Sequence, residues 1–179
     1  MLKCSIRLIV LCCLLMIAGC ATSRVEGNAT IYTVDLNSIL LNIAAVISAF
    51  VYALFQFTKK KILNGILGIA GGVFGCVILF GMVGDKLTVT PDEFELVRRG
   101  IGSENSAHLR YDDLNQATIT LEITSGRRGR KNKNYYLNCG LKSGETKVVP
   151  IGTLMKAGLN EILGHMQTHH IPVHDQTGE

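Results

Sequence analysis

Leu36–Phe57 reads LNSILLNIAAVISAFVYALFQF, Thr58–Lys61 reads TKKK, and Ile62–Gly84 reads ILNGILGIAGGVFGCVILFGMVG. Leu36–Phe57 and Ile62–Val83 are apolar runs of 22 residues without a charged side chain. At about 1.5 Å of rise per residue, each run spans roughly 33 Å as a helix, enough for a hydrocarbon core of about 30 Å. The pattern predicts a transmembrane helical hairpin over 36–84, turning at Lys59–Lys61.

Composition agrees with a small membrane protein. The chain has 179 residues and a formal net charge of +4. Residues 85–179 hold 12 Lys and Arg against 12 Asp and Glu, so the surplus lies earlier, at Lys3, Arg7, Arg24 and Lys59–Lys61. Basic residues beside membrane segments set orientation, so the charge reports topology rather than nucleic-acid binding. Of the six cysteines, only Cys139 falls in 85–179, which excludes a disulfide framework there.

Residues 1–20 read MLKCSIRLIVLCCLLMIAGC. Lys3 and Arg7 precede an eleven-residue apolar stretch, Leu8–Ala18, too short for a span and suited to a signal peptide. Its end, Ile17-Ala18-Gly19-Cys20, resembles the lipobox of bacterial lipoproteins. The resemblance covers the leader and implies cleavage of 1–19, acylation of Cys20 and firm anchoring by several acyl chains. An uncleaved signal anchor is the alternative. Residues 20–35 then read as a lipidated polar tether. Ala21 after the cysteine follows the family's outer-membrane pattern, whereas the apolar hairpin favours the inner membrane and prevails on buried apolar length. A leader that begins inside places Lys59–Lys61 in the cytoplasm and 85–179 in the periplasm, or outside a single-membrane cell. The positive-inside rule gives the same orientation.

The second run is glycine-rich. Gly65, Gly68, Gly72 and Gly75 recur at spacings of three and four, and Gly68/Gly72 and Gly71/Gly75 are GxxxG pairs that let helix backbones approach closely. Packing against the first run and self-association into a homo-oligomer are both open. Polar Asn37, Asn42, Ser48, Gln56 and Asn64 suit that interface better than lipid, and Gln56 and Asn64 flank the lysine turn closely enough to bond each other.

After Gly84 the period becomes two. Lys86–Thr90, Glu93–Arg98, Ala107–Tyr111, Ala117–Thr124, Asn134–Asn138 and Thr146–Val149 read as short strands between turns. In Ala117–Thr124, Ile119, Leu121 and Ile123 point one way and Thr118, Thr120 and Glu122 the other. A terminal helix follows, with Thr153 as its cap and Met155, Leu159, Ile162, Leu163 and Met166 as its apolar stripe. Residues 169–179 read as a disordered tail. This order, with Leu87–Gly100 (LTVTPDEFELVRRG) and His108–Ile119 (HLRYDDLNQATI), resembles the pleckstrin-homology-like domains of bacterial membrane proteins. The resemblance covers about 87–168 and implies a bent antiparallel β-barrel plugged by its C-terminal helix within an exported domain, 85–168. The fold class is a two-helix membrane hairpin plus a small α+β domain; another helix-on-sheet domain is the alternative.

Candidate sites are few. Arg127, Arg128, Arg130, Lys131 and Lys133 place five positive charges in seven positions, suited either to anionic headgroups of membrane lipids or to a solvated hairpin tip. Nucleic acid is disfavoured because no aromatic residues interleave them. The basic lipid site of phosphoinositide-binding relatives lies in the first hairpin and is not carried over. His165 and His169 have i, i+4 spacing, with His170 and His174 after them, but no acidic or cysteine ligand is expected nearby and there is no HExxH pattern, so no metal site is assigned. Asp112 and Asp113 read as turn residues and Cys139 as a core residue. With no GxSxG, P-loop or dinucleotide fingerprint, neither enzyme activity nor a cofactor is expected. The expected role is a binding or scaffolding module of the cell envelope with a protein partner. The alternative is an oligomeric membrane component, an accessory subunit or small pore, assembled through the glycine face.

Overall fold

The computed structural model describes residues 21–99, 106–125 and 131–178. The leader, Cys20, Arg127, Arg128, Arg130 and the Gly100–Ser103 turn lie outside them. The described residues form two units, described separately below.

The first unit is built on helices α1 (Leu36–Thr58) and α2 (Ile62–Gly84). Both are long and apolar enough to cross a membrane, and most of their large apolar side chains are exposed, Leu54 and Phe80 among them. Lys60 adopts φ 56° in the connection, and the Lys61 N–H closes the turn on the Gln56 carbonyl at 2.9 Å. Ser38, Asn42, Val46, Ala53 and Gln56 are buried on α1, and Gly65, Gly68, Gly72 and Gly75 on α2.

The second unit is an α+β domain, and the expected tether belongs to it. Residues 21–34 form strands β1 (Ala21–Glu26) and β2 (Ala29–Val34), turning at Gly27, whose φ of 61° suits a residue without Cβ. They extend a sheet of order β1-β2-β3-β4-β5, with β3 (Lys86–Val89), β4 (Glu93–Val97) and β5 (Ala107–Arg110). β2 and β3 are antiparallel neighbours, Thr33 opposite Lys86. In sequence, the helical hairpin is therefore an insertion between two paired strands. A 3-10 turn at Tyr111–Asp113 leads to β6 (Leu114–Ser125), which pairs with β7 (Lys131–Leu141), and β7 pairs with β8 (Thr146–Pro150). Helix α3 (Thr153–Thr168) follows, and β9 (Val173–Asp175) closes a second sheet of order β8-β7-β6-β9.

Alternation explains the core. Leu87 and Val89 on β3, Phe94 and Leu96 on β4, and Ala107 and Leu109 on β5 are buried in register. Helix α3 packs on β3, with Met155, Ile162 and Met166 the fully buried part of its stripe; Leu159 and Leu163 are half-buried, and Leu154 and Gly158 are buried instead. Two further expectations need correction. Gly152, not Thr153, is the N-cap of α3 and makes no side-chain cap bond. The tail is not disordered, since Val173 and His174 pair with Ala117 and Thr118, and Ile171 is buried. Ile123 keeps its side of β6 but is 52% exposed, because the β6–β7 ladder runs on past the core.

Candidate functional site

Thr30 and Tyr32 stand two apart on β2 and so share a face; their register partners, Val89 and Leu87, are core residues. That face meets Glu161 of α3. The Thr30 hydroxyl donates to Glu161 Oε1 at 2.7 Å, and the Tyr32 hydroxyl donates to Oε2 at 2.8 Å. Both carboxylate oxygens are thereby engaged by a strand far removed in sequence. Burial and the Glu161 bond push the Tyr32 phenol up to about 12. Gly158 permits the close approach, since a Cβ there would lie 2.7 Å from Leu87 Cδ2 and 3.0 Å from the Tyr32 ring.

An aromatic layer continues from Glu161. The Tyr111 ring is buried, with its centroid 6.0 Å from Phe94, 5.8 Å from His165 and 5.4 Å from His169. Burial raises the Tyr111 phenol, aided by the Glu161 charge, and its hydroxyl has no hydrogen-bond partner among the described residues. The His169 ring places Nε2 2.9 Å from the Pro91 carbonyl oxygen and Nδ1 3.2 Å from Asp112 Oδ1. His165 Nε2 lies 4.0 Å from Glu161 Oε1. Both histidines thus pack against Tyr111, and acidic groups lie near them against expectation: His169 ties the end of α3 to Asp112, and His165 faces Glu161 of its own helix. Among the described residues, no group of three or more His, Cys, Asp or Glu side chains is placed to hold a metal ion. Asp112 and Asp113 occupy the 3-10 turn. Cys139 is fully buried on β7, and burial pushes its thiol up to about 12, which makes it a poor nucleophile.

The glycine face of α2 is turned onto α1. A Cβ at Gly65 would meet the Phe57 ring at 2.7 Å, at Gly68 the Ala53 Cβ at 2.9 Å, and at Gly72 the Phe50 ring at 2.8 Å. Gly75 is buried with them, whereas a Cβ at Gly71 would meet nothing within 4 Å. Asn42 Nδ2 donates to the Ser38 carbonyl at 2.8 Å; among the described residues Asn42 Oδ1, Tyr52 OH and Gln56 Oε1 are buried without a hydrogen-bond partner, so Gln56 Oε1 accepts no bond from Asn64. Of the basic loop, Lys131 and Lys133 are described. They lie on β7, paired with Ser125 and Ile123, so part of the expected turn is strand.

Sequence reading missed Thr30, Tyr32, Glu161 and Gly158. The one local signal was β-propensity in ATIYTV, easily outweighed by its polarity and its place before an apolar helix. No protein-family model matches the chain, and no curated protein matches its sequence.

Proposed function

We propose that this protein is a non-enzymatic binding or scaffolding module of the bacterial cell envelope, held in the inner membrane by the α1–α2 hairpin and lipidated at Cys20. In this reading, the α+β domain lies on the outer side and gathers a protein partner or lipid headgroups at the membrane surface. The observation that carries it is the insertion of the hairpin between paired strands. Thr33 and Lys86 face each other in one sheet, so the segments before and after the hairpin must be on the same side of any membrane it crosses. Two crossings satisfy this condition, and Lys59–Lys61 at the turn then select the cytoplasmic side for the far end. The domain is read as pleckstrin-homology-like on its strand-rich order and single long helix. The basic stretch Arg127–Lys133 is its candidate contact with anionic headgroups.

The glycine-face oligomer has no comparable support, because that face is packed against α1 of the same chain. Reporter fusions test the proposal. Alkaline phosphatase fused after Glu179 should be active, and the same reporter inserted between Lys60 and Lys61 should be inactive. The opposite pattern would overturn it.

A further inference from the structure

A groove of about 400 Å³ lies where the end of β5, the 3-10 turn and the β7–β8 turn meet. Buried Leu109 and half-buried Leu141 contribute its apolar part. Arg110, Lys142 and Lys147 bring three positive charges to it, and Asp113 brings one negative charge. Among the described residues none of these three cations has an ion-pair partner. His108 also lines the groove but is occupied, its Nε2 3.0 Å from Glu93 Oε2. Ser143 adds a hydroxyl.

The walls are held by backbone bonds. The Lys142 N–H donates to the Asp113 carbonyl at 2.8 Å and ties the two turns together. The Leu141 N–H donates to the Glu145 carbonyl at 2.8 Å, and the Gly144 N–H donates to the Leu141 carbonyl at 2.9 Å. Gly144 holds φ +90°, a conformation that L side chains rarely adopt. The backbone that carries Lys142, Ser143 and Asp113 is therefore held in place. Lys147 is half-buried, which deprives it of part of its hydration, whereas Arg110 and Lys142 reach into solvent. A bound anion offsets that cost. With Asp113 as the one acidic lining residue and Glu93 engaged by His108, the lining keeps a positive surplus that suits a phosphomonoester, and the Arg110 fork suits its oxygens.

We propose that this groove binds a phosphomonoester group, carried by a small soluble molecule or by a lipid headgroup. The inference names a ligand class for the binding module proposed above and rests on that reading for its role. Its geometry belongs to the α+β domain alone.

The test uses the full chain in lipid nanodiscs, with methyl phosphate as the soluble probe and amide NMR shifts of Lys142, Ser143 and Lys147 as the readout. In phosphatidylcholine discs, methyl phosphate should shift these amides saturably. Lys142→Ala and Lys147→Ala should each weaken binding about five-fold, and Asp113→Asn should tighten it about five-fold. The opposite signs separate an anion site from a structural role. In discs containing phosphatidic acid, the same shifts without methyl phosphate would identify a headgroup as the source; shifts that appear on adding methyl phosphate would identify a soluble one. No saturable shift from either probe, or an affinity unmoved by all three variants, overturns the proposal. Those outcomes leave the reporter topology untouched, and an inverted topology leaves groove binding untouched.

Discussion

Because Thr33 and Lys86 are paired across neighbouring antiparallel strands, residues 34–85 can be cut out and replaced by Asn-Gly. A two-residue type I′ turn joins antiparallel strands without disturbing their register. The product, residues 21–33 and 86–178 joined by that turn, should be a water-soluble domain that keeps both sheets and α3. Shortening a 52-residue connection to two residues lowers the loop-closure cost by at most about 3 kcal/mol, from (3/2)RT ln(52/2), if the connection were flexible. Excision should therefore not destabilise the domain. The sharper measurement is Glu161→Ala in this background. Its carboxylate accepts hydroxyl bonds of 2.7 and 2.8 Å from Thr30 and Tyr32. Hydrogen bonds to a charged group contribute about 1.5–3 kcal/mol each, and partial exposure places both at the low end, so the loss should be about 3 kcal/mol in urea unfolding. Deleting residues 21–33 should remove the effect of Glu161→Ala. If Glu161→Ala costs nothing, or the cost survives that deletion, residues 21–34 are a tether after all and the sheet assignment is wrong.

At the helix pair, Gly68→Ala forces a Cβ to within 2.9 Å of Ala53 and should cost about 1–2 kcal/mol, overpacking outweighing the gain in helix propensity. Gly71→Ala has open space and should be neutral or stabilising; equal effects of the two in SDS titrations of the reconstituted chain would contradict the packing. The Tyr32 phenol is raised from 10.0 to about 12, so the fold favours its neutral form. That contribution is complete below pH 10 and is lost as pH climbs towards 12. Tyr32→Phe should flatten this alkaline decline in a pH series of unfolding curves, and a decline identical to the parent's would refute the assignment. Truncation after Thr168 removes β9 and buried Ile171 and should destabilise the domain by about 2 kcal/mol or more, whereas a disordered tail would leave the unfolding midpoint unchanged.

Local pattern by itself determined the two long apolar helices, the strands from Lys86 to Val149 within a few residues, and the amphipathic terminal helix. Each is written in a period of 3.6 or 2, or in an unbroken apolar length, and such signals need no knowledge of partners. The same holds for the glycines at 65, 68, 72 and 75, whose spacing marks a close helix contact. Spacing could not name the partner helix; the rings of Phe50 and Phe57 and the Cβ of Ala53 did. Tertiary structure alone decided that residues 21–34 are sheet. Their pairing strand begins beyond the helical hairpin, and Thr30 and Tyr32 look like tether residues until Glu161, more than a hundred positions later, accepts their hydroxyls. It also decided that Arg110, Lys142 and Lys147 share a groove, since charges on separate strands carry no mutual spacing in the chain. A strand's neighbours are chosen by the whole sheet, and no window along the sequence contains them.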